Sequence, residues 1–298
     1  MDFDIAILTD ARYVDPDPTV PYDCQILLEE AWLVHYLGQL GLRAKRVAWD
    51  DRSVNWSVVR GAVLRSTWDY FDRFDEFSPW LEGVARLTRL VNRYDLLQWN
   101  MDKRYLADLA EQGVDIVPTR YFERRQACDL AAEMRRFGWT EAVMKPVVSG
   151  AARLTFRIDS QNIADMQATF ERCIAEEAMM LQPFMRSVME QGEISLMVVD
   201  GQHTHAIRKT PKAGDFRVQD DHGGTVHPHI ATAEEVAFAE NAVAACPVVP
   251  AYARVDLVRD AAGKLCVMEM ELVEPEMFFR FCPASAQRLA AAIAARLG

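Results

Sequence analysis

Three acidic side chains in the last fifth of the chain stand inside two short apolar runs. Asp256 belongs to the run 252–258, and Glu269 and Glu271 belong to the run 265–272. Because side chains alternate between the two faces of a strand, Glu269 and Glu271 are expected on the same face. A buried face tolerates two carboxylates only if cations or hydrogen-bond donors accompany them. Oxygen ligands of this kind suit Mg²⁺, which usually binds together with a phosphate.

A turn at 260–263 would make these two runs an antiparallel pair and place Asp256 beside Glu269. The three acids together could then hold two Mg²⁺ ions on the phosphates of ATP. The alternative is a pair of edge strands whose carboxylates face water.

Two lysines are candidates for the phosphates that such metal ions would accompany. Lys145 lies in the apolar run 142–148, and Lys103 lies on a predicted helix, 96–112. The order of residues matches neither a P-loop nor a dinucleotide-binding fingerprint. Small residues after Lys145 would let backbone N–H groups approach a phosphate; they are Ser149, Gly150, Ala151 and Ala152. The alternative is an exposed lysine before a hairpin and another on a helix surface.

The run 179–184 is the candidate for a nucleotide base. Pro183 ends its hydrogen-bond ladder and would free backbone groups for the edge of an adenine. Glu190 and Glu193 follow within reach of a ribose or a metal ion. The alternative is a buried strand end in which methionines fill the core.

Strands and helices must bring these residues together. Over roughly the first 95 residues they alternate, which predicts an α/β unit with a mainly parallel sheet; strands are expected at 3–8, 43–48 and 61–64, and helices at 23–40 and 74–90. Beyond that unit, further strands are expected at 142–148, 153–158, 179–184, 194–199 and 203–207. Helices are expected at 232–245, which begins with a capping box, and at 284–297. The polar stretch 210–225 is predicted to be a surface loop or lid.

Composition excludes several classes of protein. The chain has 298 residues, of which half are hydrophobic, and a formal net charge of −11. Such an acidic protein is not expected to bind nucleic acid. The sequence contains no apolar run of the roughly 20 residues that cross a membrane, and its acidic first residues are not expected to act as a secretory leader. Six scattered cysteines without a C-x-x-C pair favour free thiols and a cytoplasmic location.

The order of these motifs resembles the ATP-grasp superfamily of carboxylate–amine ligases. Over residues 98–272 a lysine on a helix comes first, followed by a lysine on a strand with a loop of small residues after it. A strand that ends in proline, the lid, an Arg-x-Asp motif and a Glu-x-Glu motif then follow in that order. The motifs R-S-T-W-D-Y, W-N-M-D-K-R-Y-L, G-D-F-R-V-Q and M-E-M-E-L-V-E-P are similar to the glutathione-synthetase-like and RimK-like members. The resemblance implies an ATP-grasp fold, α/β (α+β) in class, with ATP between two antiparallel sheets. We expect three lobes, at 1–97, 98–185 and 186–298.

The resemblance also implies roles for individual residues. Lys103 and Lys145 would contact the phosphates and the loop 149–152 would cover them. Asp256, Glu269 and Glu271 would hold two Mg²⁺ ions, although many members carry Asn where this chain has Glu271. Adenine would be framed by Gln182, Phe184 and Met185, and the ribose would contact Glu190. Arg254 would stabilise the charge on the transferred phosphoryl group and the acyl intermediate.

The substrate site is predicted from the end of a strand in the first lobe. Ligands collect at the carboxyl ends of parallel strands, where Arg65 could hold a carboxylate and Asp69 an ammonium. Trp68 and Tyr70 would complete the site, or they pack at a lobe interface instead. From the lid, Lys209 and Arg217 could fold onto the phosphates and exclude water.

The expected activity is therefore activation of an amino-acid carboxylate by ATP as an acyl phosphate, followed by attack of a nitrogen. Within the subgroup, the motifs are most similar to an enzyme of antibiotic biosynthesis that closes a ring on an O-substituted D-serine. Two alternatives remain: an intermolecular ligase for amino acids or peptides, and a nucleotide-binding protein without ligase activity. The expected partners are ATP and a small amino acid, with a homodimer as the assembly to test. Histidines 222, 227 and 229 are expected to be solvated loop residues.

Overall fold

A parallel sheet forms the first part of the structure, a computed structural model that describes residues 3–212, 214–218 and 223–298. Its order is β2-β1-β3-β4 and all of its pairs are parallel. The strands are β1 (Ile5–Thr9), β2 (Ala44–Ala48), β3 (Gly61–Ser66) and β4 (Arg89–Val91), and the helices between them are α1 (Pro21–Gln39) and α2 (Phe74–Ala85). This confirms the predicted α/β unit. The prediction of one helix over 74–90 is wrong at its end, because the chain leaves α2 and enters β4.

The predicted helix 96–112 is two helices, α3 (Tyr94–Met101) and α4 (Tyr105–Glu111). Asp102 between them is extended. The backbone N–H of Lys103 donates to the carbonyl of Val147 at 2.8 Å instead of continuing a helix. The break therefore ties Lys103 to the loop that follows the Lys145 strand.

An antiparallel sheet of order β5-β8-β6-β7 follows. Its strands are β5 (Arg120–Phe122), β6 (Ala142–Pro146), β7 (Phe156–Ile158) and β8 (Met179–Pro183). Two helices that the sequence reading did not predict cover its apolar face, α5 (Leu130–Phe137) and α6 (Ile163–Glu176). The return strand is shorter than predicted, because residues 150–154 form turns before β7.

A second antiparallel sheet has the order β11-β10-β9-β12-β13. The short helix α7 (Arg186–Gln191) leads into β9 (Glu193–Val199), β10 (Gln202–Thr210) and β11 (Thr225–His229). Helix α8 (Ala233–Ala244) begins with the predicted capping box between Thr232 and Glu235. The last elements are β12 (Tyr252–Arg259), β13 (Leu265–Glu271) and α9 (Pro283–Leu297). The predicted loop 210–225 thus joins two paired strands; His222 of that loop lies outside the described residues.

Helix α9 packs back against the first lobe. One buried cluster contains Leu33 and Leu37 of α1 together with Leu289 and Ile293 of α9. The same cluster includes Met197 and other apolar side chains of the five-stranded sheet. The three sheets fall within the three predicted lobes, whose boundaries stay a prediction.

Candidate active site between the two antiparallel sheets

The acids on β12 and β13 lie side by side. Asp256 pairs in register with Glu269, and Arg254 pairs with Glu271, before an irregularity between Asp256 and Leu257 shifts the register. This confirms the predicted antiparallel placement. All four side chains line one cleft, whose open space is about 1000 Å³.

Cations alternate with these carboxylates along the cleft. Lys103 Nζ lies 3.0 Å from Glu269 Oε1, and Lys145 Nζ lies 3.8 Å from Glu269 Oε2. Lys209 Nζ lies 3.1 Å from Glu193 Oε1 and 3.2 Å from Asp256 Oδ2. Three strands besides β12 and β13, together with the break between α3 and α4, therefore contribute to one charge network.

Arg254 closes this network at one end. Its guanidinium donates to the Asp256 carboxylate at 3.0 Å and also to the Glu271 carboxylate. Its Nη1 reaches the backbone carbonyl of Glu276 at 3.5 Å. Because the fork contacts two acids and a backbone group, its position is fixed before any ligand arrives.

Burial and neighbouring charges shift the pKa values of the network in opposite directions. Burial opposes ionisation of Glu269, but Lys103 and Lys145 hold the pKa of this carboxyl below its usual value. Burial raises the pKa of Glu271, where the opposing charge of Arg254 is not enough to offset it. Burial likewise lowers the pKa of Lys145. The cost of keeping these groups charged in a dry site is therefore met by their mutual pairing, so a charged ligand would find partners already in place.

The far end of the cleft is apolar. The side chains that line it include Phe184, Met185 and Phe216, with the rings of Phe184 and Phe216 in edge contact at 6.1 Å. Gln182 also lines it, and its amide donates to Thr119 Oγ1 at 3.0 Å. The backbone N–H of Phe184 donates to the carbonyl of Glu141, so it is not one of the groups that Pro183 was expected to free. An apolar end and a charged end suit a ligand with a flat ring at one side and anionic groups at the other.

The small-residue loop lies over the charged end. Lys103 Nζ donates to the backbone carbonyl of Ser149, so the helix break and the loop are tied together. Ala151 and Ala152 have φ values of 46° and 54°, in the left-handed region that alanine rarely adopts. A Cβ on Gly150 would come within 2.5 Å of the Phe71 ring. Only glycine therefore allows the loop to pack this closely on the first lobe.

Most of the predicted site residues meet in this cleft. Those that line it are Lys103, Lys145, Ser149, Gly150, Ala151, Gln182, Phe184, Met185, Lys209, Arg217, Arg254, Asp256, Glu269 and Glu271. Glu190 does not belong to this set, since it is exposed on α7, and Glu193 lines the cleft instead. The signal for Glu193 is the alternation Glu193-Ile-Ser195 in a strand that is otherwise apolar, with Ser195 in register beside Asp256.

Three of the four predicted substrate residues are engaged elsewhere. Arg65 is 3% exposed and donates to Glu29 Oε1 at 2.5 Å and to the carbonyl of Pro275 at 2.8 Å. Asp69 accepts from Trp49 at 2.7 Å and from Arg73 at 2.9 Å. The buried Tyr70 belongs to an apolar cluster of the first lobe. Asp69 is thus occupied by protein donors, and the Arg65 guanidinium is committed to a carboxylate and a carbonyl of the protein.

The fourth, Trp68, lines a smaller pocket that adjoins the cleft. The two spaces share Gly150, Lys209 and Arg254 among their lining residues. Apart from Trp68 and the residues that it shares with the cleft, the pocket is lined by residues that the sequence did not point to, among them Tyr22, Phe71, Glu274, Glu276 and Phe278. These residues come from segments far apart in the chain, and no local pattern marks them as neighbours.

The oxygen donors of the cleft suit Mg²⁺, but in the described part of the chain no group of three or more metal-ligating side chains is gathered as a formed metal centre. Glu269 and Asp256 instead contact ammonium and guanidinium groups. The three acids fit a metal ion that binds together with a polyphosphate. The phosphates would then pair with the lysines and leave the carboxylates free to bind the metal ion. All six cysteines are free, as predicted.

The chain matches two family profiles. Residues 5–92 match "D-cycloserine synthetase DcsG, N-terminal domain", and residues 123–246 match "Prokaryotic glutathione synthetase, ATP-grasp domain". A D-alanine–D-alanine ligase from Bacillus anthracis, solved with ATP, is similar in fold, with a TM-score of 0.69 at 14% identity over 99% of this chain and 97% of that one. Fold and cleft together define an ATP-grasp ligase, and ATP-grasp enzymes use ATP and Mg²⁺.

Two relatives define the family more narrowly. The cycloserine biosynthesis protein DcsG of Streptomyces lavendulae is 34% identical over 98% of both chains. The crystal structure of D-cycloserine synthetase DcsG matches with a TM-score of 0.83, at 32% identity and 99% coverage of both chains. The chain belongs to the D-cycloserine synthetase family. Among the described residues, no helix has the length and apolar character needed to cross a membrane.

Proposed function

We propose that this chain uses Mg²⁺ and ATP to activate the carboxylate of an O-substituted D-serine and to close it into D-cycloserine. The observation that carries the proposal is the position of Arg254, at the junction of the cleft and the adjoining pocket and in contact with Asp256 and Glu271. A carboxylate in the pocket would there meet the terminal phosphate of a nucleotide in the cleft. The 34% identity to a cycloserine biosynthesis protein supports this choice of product.

In the cleft, we assign adenine to the apolar end and the phosphates to Lys103, Lys145 and the loop 149–152. Four cations and four carboxylates form the network among the described residues. Binding of Mg·ATP would exchange partners without leaving charges unpaired: phosphates would replace carboxylates on the lysines. Asp256, Glu269 and Glu271 would then hold the metal, which when bound supplies charge neutralisation at the phosphates.

The reaction follows from this placement. A carboxylate oxygen of the substrate attacks the γ-phosphorus, the bond to the bridging oxygen breaks, and ADP leaves. The aminooxy nitrogen of the same molecule then attacks the acyl carbon, loses a proton, and displaces inorganic phosphate. Arg254 and Lys209 stand where negative charge develops in both steps, and Arg217 approaches from the segment between β10 and β11. The protein thus contributes position and charge rather than a nucleophile.

A screen of amino acids with ADP release as the readout tests the proposal. We expect ADP and phosphate only with an O-substituted D-serine that carries a free aminooxy nitrogen, and a product whose mass shows no second acceptor. A product that joins two amino acids would establish intermolecular ligation instead. ATP binding without ADP release for any amino acid would leave a nucleotide-binding protein. The free thiols fit a cytoplasmic location, and a homodimer stays a prediction for sedimentation measurements.

A further inference from the structure

The pocket beside the cleft carries both cations and carboxylates in its lining. The part that it shares with the cleft carries Lys209 and Arg254, together with Glu271. Glu274 and Glu276, which follow β13 on the segment that leads to α9, line the pocket but not the cleft. Trp68 and Phe278 add aromatic rings to the lining of the pocket. A molecule with one anionic and one cationic group would fit this lining.

The acids of the pocket differ in whether the protein already supplies a cation. Glu271 pairs with Arg254, and Glu276 pairs with Arg280. Among the described residues, no lysine, arginine or histidine lies within ion-pair distance of Glu274.

Glu274 is nevertheless buried, with 8% of its surface exposed. Burial, reinforced by the negative charge of Glu271, raises the pKa of Glu274 to about 8, although the more distant charges of Lys103 and Arg254 oppose the shift. A buried carboxylate without a counter-ion is costly, so the free enzyme favours the neutral acid, and a cationic ligand beside Glu274 would favour its charged form.

The backbone around Glu274 is held in place by the first lobe. Trp68 Nε1 donates to the carbonyl of Glu274 at 3.2 Å, and Arg65 donates to the carbonyl of Pro275. Glu29 accepts from the backbone N–H groups of Met277 and Phe279 at 2.5 and 3.2 Å. The segment is therefore fixed by hydrogen bonds before a ligand binds, which reduces the entropy lost on binding.

We propose that Glu274 binds the ammonium group of the amino-acid substrate, while Arg254 and Lys209 hold its carboxylate at the opening into the cleft. The inference rests on the proposed function, since it names the groups that recognise the substrate of that same reaction. It assigns the recognition of the ammonium to the third acid of the sequence Glu269-Met-Glu271-Leu-Val-Glu274.

The test is the variant Glu274→Gln, assayed with the amino acid that gives the fastest ADP release. We expect KM for that amino acid to rise roughly 10- to 100-fold, because a charged hydrogen bond is lost, while KM for ATP stays within about twofold. Glu276→Gln is the matched control: it removes the same charge from the same pocket, but from a group that Arg280 already pairs. Its effect on the amino-acid KM should be several times smaller.

A substrate analogue that lacks the amino group separates recognition from other roles. Wild type should bind the deamino analogue far more weakly than the amino acid, and Glu274→Gln should bind both about equally, measured as inhibition of ADP release. An unchanged amino-acid KM in Glu274→Gln, a fall in kcat alone, or a larger effect of Glu276→Gln would overturn the assignment. If wild type releases ADP with no amino acid, the proposed function fails before this test begins.

Discussion

Two networks of buried charge in this protein are built from the same kinds of side chain and differ in what else they touch. In the cleft, Glu269 and Glu271 pair with Lys103 and Arg254, yet 25% and 27% of the two glutamate side chains stay exposed to the cleft. In the first lobe, Arg65 and Glu29 are 2% and 7% exposed. Their remaining contacts are backbone groups of the segment 275–279.

The difference shows that a buried ion pair is not in itself a ligand site. Arg65 Nε and Nη1 have no hydrogen-bond partner among the described residues, but the rings of Tyr252 and Phe279 cover the guanidinium at 5.4 and 5.9 Å. This pair acts as a clamp that holds the floor of the pocket. The cleft pairs face open space, where a ligand can exchange with one of the partners.

The largest effect that would sharpen this comparison is expected from Glu269→Gln. Turnover should fall about 100- to 1000-fold, because the variant removes a charge that faces the phosphates and their metal ion. The free energy of unfolding should fall by only about 1–2 kcal/mol, because Lys103 keeps the Ser149 carbonyl as an acceptor and the introduced amide oxygen can accept a further hydrogen bond. ADP release and urea unfolding measure the two quantities. A loss of several kcal/mol in stability would show that the cleft pairs are structural, like the clamp.

Breaking the clamp between Arg65 and Glu29 should instead affect stability more than turnover. Glu29→Ala is expected to lower the free energy of unfolding by about 3–5 kcal/mol, since it leaves a buried guanidinium and two backbone N–H groups without their acceptor. Glu76→Ala, which removes an exposed partner of Arg73, should leave the free energy of unfolding almost unchanged and serves as the control. Equal losses in the two variants would contradict the distinction between clamp and surface pair.

A smaller effect, on the pH dependence of stability, is expected from His205, which contacts the segment 275–279 held by the clamp. The ring of His205 lies 3.2 Å from the carbonyl of Phe278, and burial lowers the pKa of His205 to about 4. Since the unfolded chain binds this proton near pH 6.5 and the folded protein only near pH 4, the free energy of unfolding falls as the pH drops through this window. From pH 7 to pH 5 the wild type should lose roughly 1–2 kcal/mol more than His205→Gln in urea unfolding. Equal losses in both proteins would mean that His205 does not titrate in this range.

The sequence predicted the cleft well because its residues follow local rules. Acids within apolar runs can be read for face and partner from strand alternation, and a turn of known position set the register of Asp256 and Glu269. The loop after Lys145 could be predicted from the small size of its residues. The helix break at Lys103 could not be predicted, because its cause is a hydrogen bond to Val147, 44 residues away.

The substrate end was harder to predict for the same reason. Arg65 ends a strand, and the pattern does not tell whether its side chain points to a ligand or to α1, where Glu29 lies 36 residues earlier in the chain. Glu274 follows the acids that drew attention, but its lack of an ion-pair partner among the described residues is a property of the fold. Which carboxylates lack a partner can be decided only when every neighbouring cation has been placed.

The packing of α9 against α1 has a consequence for synthesis on the ribosome. The core that Leu33 and Leu37 enter is completed by Leu289 and Ile293, in a helix translated after every other described element. The parallel sheet therefore emerges early but has to wait, with part of its apolar surface uncovered, until α9 leaves the exit tunnel. During that interval the nascent first lobe would be a natural client for a chaperone.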